Sequence, residues 1–124
     1  MAFLQDEAGR ARVEAILLGA STGICEVSMS AVNLGEVAYN FERRRGQESM
    51  LEVLVGLDHM AVSIIPVGRK IALQAARLKA NHSLGYADCI AAALARELGA
   101  TVLTTDRGFA AIEGFVPIEW LPLA

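Results

Sequence analysis

The sequence predicts an α/β domain built on a parallel sheet with helices on both faces, and three observations carry that expectation. Apolar residues recur at helical spacing in five segments. Short apolar, β-branched runs at 23–28, 61–67, 101–105 and 115–120 fall between or beside those segments. One helical segment, 85–98, is dominated by alanine, whose small side chain lets a helix backbone lie close to a sheet. Strands separated by helices pair in parallel and are covered on both sides.

Taken in order, the first helix is expected over 8–20, where Val13, Ile16, Leu17 and Ala20 follow the i, i+3, i+4, i+7 pattern. Gly19 and Gly23 end it, and a short strand follows over 23–28. Ser30 caps a second helix over 30–45 with an apolar stripe of Leu34, Val37, Ala38 and Phe41. Arg43, Arg44 and Arg45 crowd its last turn, matching the helix dipole, and Gly46 stops it. A third helix takes 47–58. The run 61–67 is a strand halted by Pro66. In the helix over 68–80, Ile71, Ala75 and Leu78 point inward, and Arg69, Lys70, Arg77 and Lys79 point outward. The alanine-rich helix 85–98 ends at Gly99. Strand 101–105 runs straight into Asp106, a helical turn follows, and 115–120 is the last strand. All three prolines, Pro66, Pro117 and Pro122, fall at expected strand ends. Phe41, Phe109 and Trp120 are expected in the core or an interface.

The composition narrows the function classes. The chain has 124 residues, 54% of them hydrophobic and only 20% charged. That is the opposite of a disordered composition, and it is enough for one core. No run of about 18 uncharged apolar residues offers a membrane span. A net charge of −3 speaks against holding nucleic acid by bulk electrostatics, although bound cations supply positive charge where phosphates must be met. Cys25 and Cys89 lie in apolar segments and read as reduced thiols. With no zinc spacing and no secretory signal, the expected location is cytoplasmic. His59 and His82 lie in or beside turns and read as surface or local structural groups.

Ligands of open parallel sheets sit beyond the carboxyl ends of the strands, which singles out Asp106 directly after strand 101–105. The plain alternative is a capping aspartate for the turn that follows. Asp88 sits in the first turn of the alanine-rich helix, where the dipole favours negative charge. Its neighbours Ala87, Cys89, Ile90, Ala91 and Ala92 are uncharged, so its carboxylate is costly to desolvate without compensation. Glu36 shares one side of the second helix with Val32, Tyr39 and Arg43. It reads either as part of a solvated face or as a capping box with Asn33. Together the three acids gather at the active edge of a parallel sheet. There they repel one another and raise each other's pKa unless a divalent cation neutralises them. Mg²⁺ and Mn²⁺ take such hard oxygen ligands, and a site of this kind suits phosphodiester hydrolysis.

The run Tyr86-Ala87-Asp88-Cys89-Ile90-Ala91-Ala92-Ala93-Leu94-Ala95, continued by Glu97-Leu98-Gly99-Ala100-Thr101-Val102-Leu103-Thr104-Thr105-Asp106, resembles the C-terminal half of PIN-domain ribonucleases. The nearest likeness is to VapC-like toxins of toxin–antitoxin pairs. Ser30-Ala31-Val32-Asn33-Leu34-Gly35-Glu36-Val37 is similar to that family's glutamate helix. Phe3-Leu4-Gln5-Asp6-Glu7-Ala8-Gly9 is similar to the segment after its first strand. The resemblance spans essentially the whole chain. It implies a PIN-like parallel sheet flanked by helices, usually as a homodimer. It implies RNA cleavage through Mg²⁺ or Mn²⁺ held by acids, of which Glu36, Asp88 and Asp106 are three. It also implies a cognate antitoxin that blocks the active groove with a peptide.

This chain departs from the family pattern at three places. Gly85 stands where a serine is common, removing one polar contact. Arg107 follows Asp106 near the groove, open to a phosphate or to solvent. The family also opens with a hydrophobic central strand ending in an aspartate, and this sequence begins after it. The expectation is therefore one PIN-like domain over 1–124 that is N-terminally truncated, with Met1 internal to a longer natural chain. Asp6 and Glu7 are poor substitutes for the missing carboxylate. The rival is a genuine start at Met1, with the gap filled by rearrangement or oligomerisation.

Two further readings stand beside the leading one, an endoribonuclease toxin. A catalytically silent PIN-like module would bind a protein or RNA without cutting. A receiver-type phosphoacceptor domain needs a lysine after a late strand, and none is present.

Overall fold

The computed structural model describes residues 7–121. Expectations that fall on residues 1–6 and on Pro122 lie outside it. In chain order the elements are α1 (Glu7–Ser21), β1 (Val27–Ser30), α2 (Ala31–Arg45), α3 (Gln47–Asp58) and β2 (Val62–Ile65). They continue with α4 (Arg69–Asn81), α5 (Tyr86–Leu98), β3 (Val102–Thr104), a 3-10 turn (Arg107–Ile112) and β4 (Ile118–Trp120). The fold is mixed α/β, mostly helical, with parallel strands. None of the described helices is long and apolar enough to cross a membrane.

Local chemistry sets most of these boundaries. Ser30 ends β1 and caps α2, its Oγ accepting a hydrogen bond from the Asn33 N–H at 2.9 Å. Gly46, at φ 89°, separates α2 from α3 and donates its N–H to Glu42 O at 2.9 Å. Gly99, at φ 64°, closes α5 with the Ala100 N–H on Ala95 O at 2.8 Å. Both conformations lie in the region where a Cβ is penalised.

The run at 23–28 does not form the expected strand, and the ladder starts only at Val27. The Ile24 and Cys25 amides are already donated to Gly19 O, closing the end of α1 at 2.8 and 3.4 Å. Ile24 is left 84% exposed. Amides consumed by a helix terminus cannot join a ladder. The last strand is likewise shorter than the run at 115–120, because the Phe115 amide closes the preceding turn on Ile112 O at 2.9 Å.

The strands do not form one continuous sheet among the described residues. β1 pairs in parallel with β2, matching Val27 to Val62 and Ser30 to Ile65. β3 pairs in parallel with β4, matching Val102 to Ile118 and Thr104 to Trp120. Two two-stranded ladders result. Ile64 and Leu103, well inside their strands, are 37% and 36% exposed, whereas strands of a fully covered parallel sheet are buried.

The core is concentrated in the C-terminal half. Ile71, Ala75 and Leu78 of α4 pack with Cys89, Ile90, Ala92 and Ala93 of α5 and with Phe109, Ile112 and Val116. α5 is buried around much of its circumference, which explains its alanines. Cys89 is fully buried, Cys25 is half-buried, and both thiols are free. His59 and His82 serve local roles, each placing Nδ1 on the carbonyl four residues earlier.

α1 packs on β1 and reaches β4 through a bidentate pair. Arg12 donates Nε to Glu119 Oε2 at 3.0 Å and Nη2 to Oε1 at 2.8 Å. The Arg12 hydrogen bonds hold the Glu119 carboxyl below its ordinary pKa. That stabilisation is present above the ordinary glutamate range and is lost as pH falls through the lowered folded value. Both partners are exposed, so Arg12→Ala is expected to lower the melting temperature only slightly, and less at high salt. A thermal melt at low and high ionic strength checks both points.

Candidate active site

The carboxyl ends of β1 and β3 open toward the starts of α2 and α5, and there the three acids gather. Glu36 is one turn into α2 and half-buried. Asp88 is in the first turn of α5, also half-buried. Asp106 leaves β3 and begins the 3-10 turn. All three line one groove of about 970 Å³.

The three acids bear on one another electrostatically. Burial, followed by the negative charges of Asp106 and Glu36, pushes the Asp88 carboxyl above its ordinary pKa. The helix dipole favours charge at that position by about 0.3–1 kcal/mol, so desolvation and like-charge repulsion outweigh it. Among the described residues, no three His, Cys, Asp or Glu side chains stand close enough to hold one ion.

Two of the acids are held by identifiable contacts. Asp106 is both a cap and a member of the cluster: its Oδ1 accepts from the Gly108 N–H at 2.8 Å. Its own N–H donates to Thr104 Oγ1 at 2.9 Å, fixing the turn out of β3. Asp106 Oδ2 has no hydrogen-bond partner among the described residues and is available to the groove. Asp88 lies beside Gly85, where an added Cβ would stand 3.6 Å from Asp88 Oδ2. A serine therefore fits at Gly85 without a clash.

Asn33 takes a different part from the expected box with Glu36. Ser30 supplies the cap, and the Asn33 side chain turns away to donate from Nδ2 to Ala87 O at 3.1 Å, its Oδ1 resting against Ser30 Oγ. This bond ties α2 to the first turn of α5 and so sets Glu36 against Asp88. The serine three residues before Asn33 was the local signal that Asn33 is not itself a cap; its distant partner has no local signal. Asn33→Ala is expected to leave the fold in place while weakening any Mg²⁺ or Mn²⁺ stabilisation, read as a smaller metal-induced melting shift than wild type.

The basic residues divide. Arg107 stacks its guanidinium over the Trp120 ring at 4.8 Å, which accounts for it without a phosphate. Arg43 covers Tyr39 at 5.0 Å, whereas Arg44 and Arg45 line the groove that holds the acids. One opening is thus lined by carboxylates, guanidinium groups and apolar side chains.

The chain belongs to the PIN-domain family, whose model matches residues 1–114. No curated protein matches it in sequence. Among solved structures it is similar to DNA-bound VapBC from Salmonella typhimurium, at TM-score 0.71 and 23% identity over 95% of this chain and 88% of that one. It is also similar to VapBC2 from Rickettsia felis bound to a promoter DNA fragment, at TM-score 0.73 and 19% identity over 98% and 91%. At these identities the likeness concerns the fold.

Proposed function

We propose that this protein is a VapC-like toxin acting as a metal-dependent endoribonuclease. The observation that carries the reading is that Glu36, Asp88 and Asp106 line one groove at the carboxyl edge of the strands, with the Asp88 carboxyl pushed above its ordinary pKa by burial first and then by the other two acids. Three carboxylates form a donor set of hard oxygens suited to Mg²⁺ or Mn²⁺, and a cation relieves their mutual repulsion. When bound, such an ion polarises a phosphate and lowers the pKa of water.

The protein's own residues then have defined tasks. Glu36, Asp88 and Asp106 do not stand within direct reach of one ion together, so they would hold it in part through its bound waters, while the Gly108 amide keeps the Asp106 carboxylate aimed. Arg44 and Arg45 would meet the phosphates of single-stranded or structured RNA at the groove wall. A cognate antitoxin would silence the protein by laying a peptide over this opening, with the toxin a cytoplasmic homodimer.

The test is cleavage of an RNA pool by the 124-residue chain with Mn²⁺ or Mg²⁺, beside a chelator control. Metal-dependent cutting supports the enzyme and shows that three acids suffice. Failure to cut, with RNA or a protein partner still bound, supports the silent module.

A further inference from the structure

A second pocket, of about 540 Å³, opens between the later turns of α4, the end of α5 and Phe115, and shares no residue with the acid groove. Its α5 residue, Arg96, stands about 12 Å along the helix from Asp88. The buried Leu78 and the half-buried Phe115 give it apolar surface. Arg77, Arg96 and His82 surround that surface, with the amides of Gln74 and Asn81, and no carboxylate among the described residues lines it. The chain as a whole carries a net charge of −3, so this is a local reversal of its field. Glu97, next to Arg96 in sequence, is taken by Lys70 at 2.8 Å. Among the described residues neither Arg77 nor Arg96 has a carboxylate partner.

Three contacts organise these groups in advance. Arg96 stacks over the Phe115 ring at 4.4 Å, which covers the face of the guanidinium and leaves its N–H edges for an acceptor. His82 Nδ1 donates to Leu78 O at 3.0 Å, so the free ring nitrogen is Nε2. Asn81 donates from Nδ2 to Arg77 O at 2.8 Å, leaving its Oδ1 as an acceptor. The last two bonds also occupy carbonyls in the final turn of α4, which would otherwise present partial negative charge to an anion.

We propose that this pocket binds a nucleotide through its phosphate monoester, with Arg77 and Arg96 on the phosphate and the base over Leu78 and Phe115. A phosphate monoester carries a charge of about −1.5 to −2 at neutral pH, which two guanidinium groups match through paired N–H donors. A carboxylate brings a single charge and fewer acceptors. Inorganic phosphate has the charge and leaves the apolar surface and most of the volume unused, whereas pockets of about 300–1,000 Å³ suit organic ligands. Gln74 and Asn81 each offer amide groups of the kind that hydrogen-bond the edge of a base. A free mononucleotide and the phosphorylated end of an RNA present the same chemistry. The site lies apart from the acid groove and does not rest on the nuclease reading.

The probe is AMP, titrated into the 124-residue chain in the presence of EDTA, which removes metal-bridged binding at the acids, and followed by NMR. Saturable shifts at the Arg96 Nε–H, His82 and Phe115, with a Kd below about 1 mM, are the expected result. Arg77→Gln and Arg96→Gln each weaken binding by about tenfold or more, and as exposed positions both keep the wild-type fold. Lys79→Gln, an equal loss of charge on α4 outside the pocket, leaves it unchanged. Adenosine, which lacks the phosphate, does not bind, and inorganic phosphate binds more weakly than AMP. Absence of saturation up to about 1 mM AMP overturns the proposal. So do shifts confined to the acid groove, an equal loss in Lys79→Gln, or acetate or inorganic phosphate binding as tightly as AMP. A short RNA with a terminal phosphate separates the two sources. Tighter binding than AMP, lost when that phosphate is removed, assigns the pocket to an RNA end, and no gain over AMP assigns it to the free nucleotide.

Discussion

Asp106→Asn is expected to cut metal-dependent RNA cleavage by about 100-fold or more while leaving the fold intact. The substitution keeps the shape and a side-chain carbonyl oxygen that can still accept the Gly108 N–H, so the turn out of β3 survives. What it removes is the negative charge facing the groove. A carboxylate that served only as a cap would lose little, because an Asn cap is about as good as an Asp cap. The comparison therefore separates the two roles that Asp106 fills. Glu36→Gln should behave alike, since Ser30 rather than Glu36 caps α2 and Glu36 faces the same groove. Retention of wild-type cleavage by Asp106→Asn would remove that residue from the site.

Elements governed by local chemistry were readable from the sequence. The i, i+4, i+7 spacing of Ile71, Ala75 and Leu78 marked the buried face of α4, and all three are buried. Ser30, Gly46, Gly99 and Asp106 marked helix ends because each supplies a cap that depends only on near neighbours. Strand limits were less legible. Whether Ile24 pairs or stays in solvent depends on a carbonyl at the end of α1 and on a ladder partner more than thirty residues away. β-propensity carries no information about either.

The site was legible in outline and not in its supports. Three acids at the starts of helices announced a shared edge, because chain direction alone puts those positions there. The Asn33 bond to Ala87 and the Arg107 stack on Trp120 are long-range and leave no periodic trace. The division of the described strands into two ladders rests on pairings between distant residues, and its physical counterpart is the exposure of Ile64 and Leu103.

Asp88→Asn is expected to raise the melting temperature of the metal-free protein at neutral pH by several degrees, although Asp88 is proposed to be essential for activity. Burial raises the Asp88 pKa first, and Asp106 and Glu36 raise it further, so the folded state binds a proton more tightly than the unfolded chain does. A carboxyl with a raised folded pKa contributes its full share below the unfolded value, near 3.9. That share is lost as pH rises through the folded value, leaving the charged cluster a liability at neutral pH. Removing the charge removes both the desolvation cost and two repulsions. Mn²⁺ should do for wild type what the substitution does: millimolar metal raises the wild-type melting temperature and moves Asp88→Asn much less. Thermal melts across pH, with and without Mn²⁺, read all four conditions. A variant less stable than wild type in the absence of metal, or an equal metal shift in both, would show that Asp88 is not under electrostatic strain in this groove. The expected pattern is stability given up for a site that a cation completes.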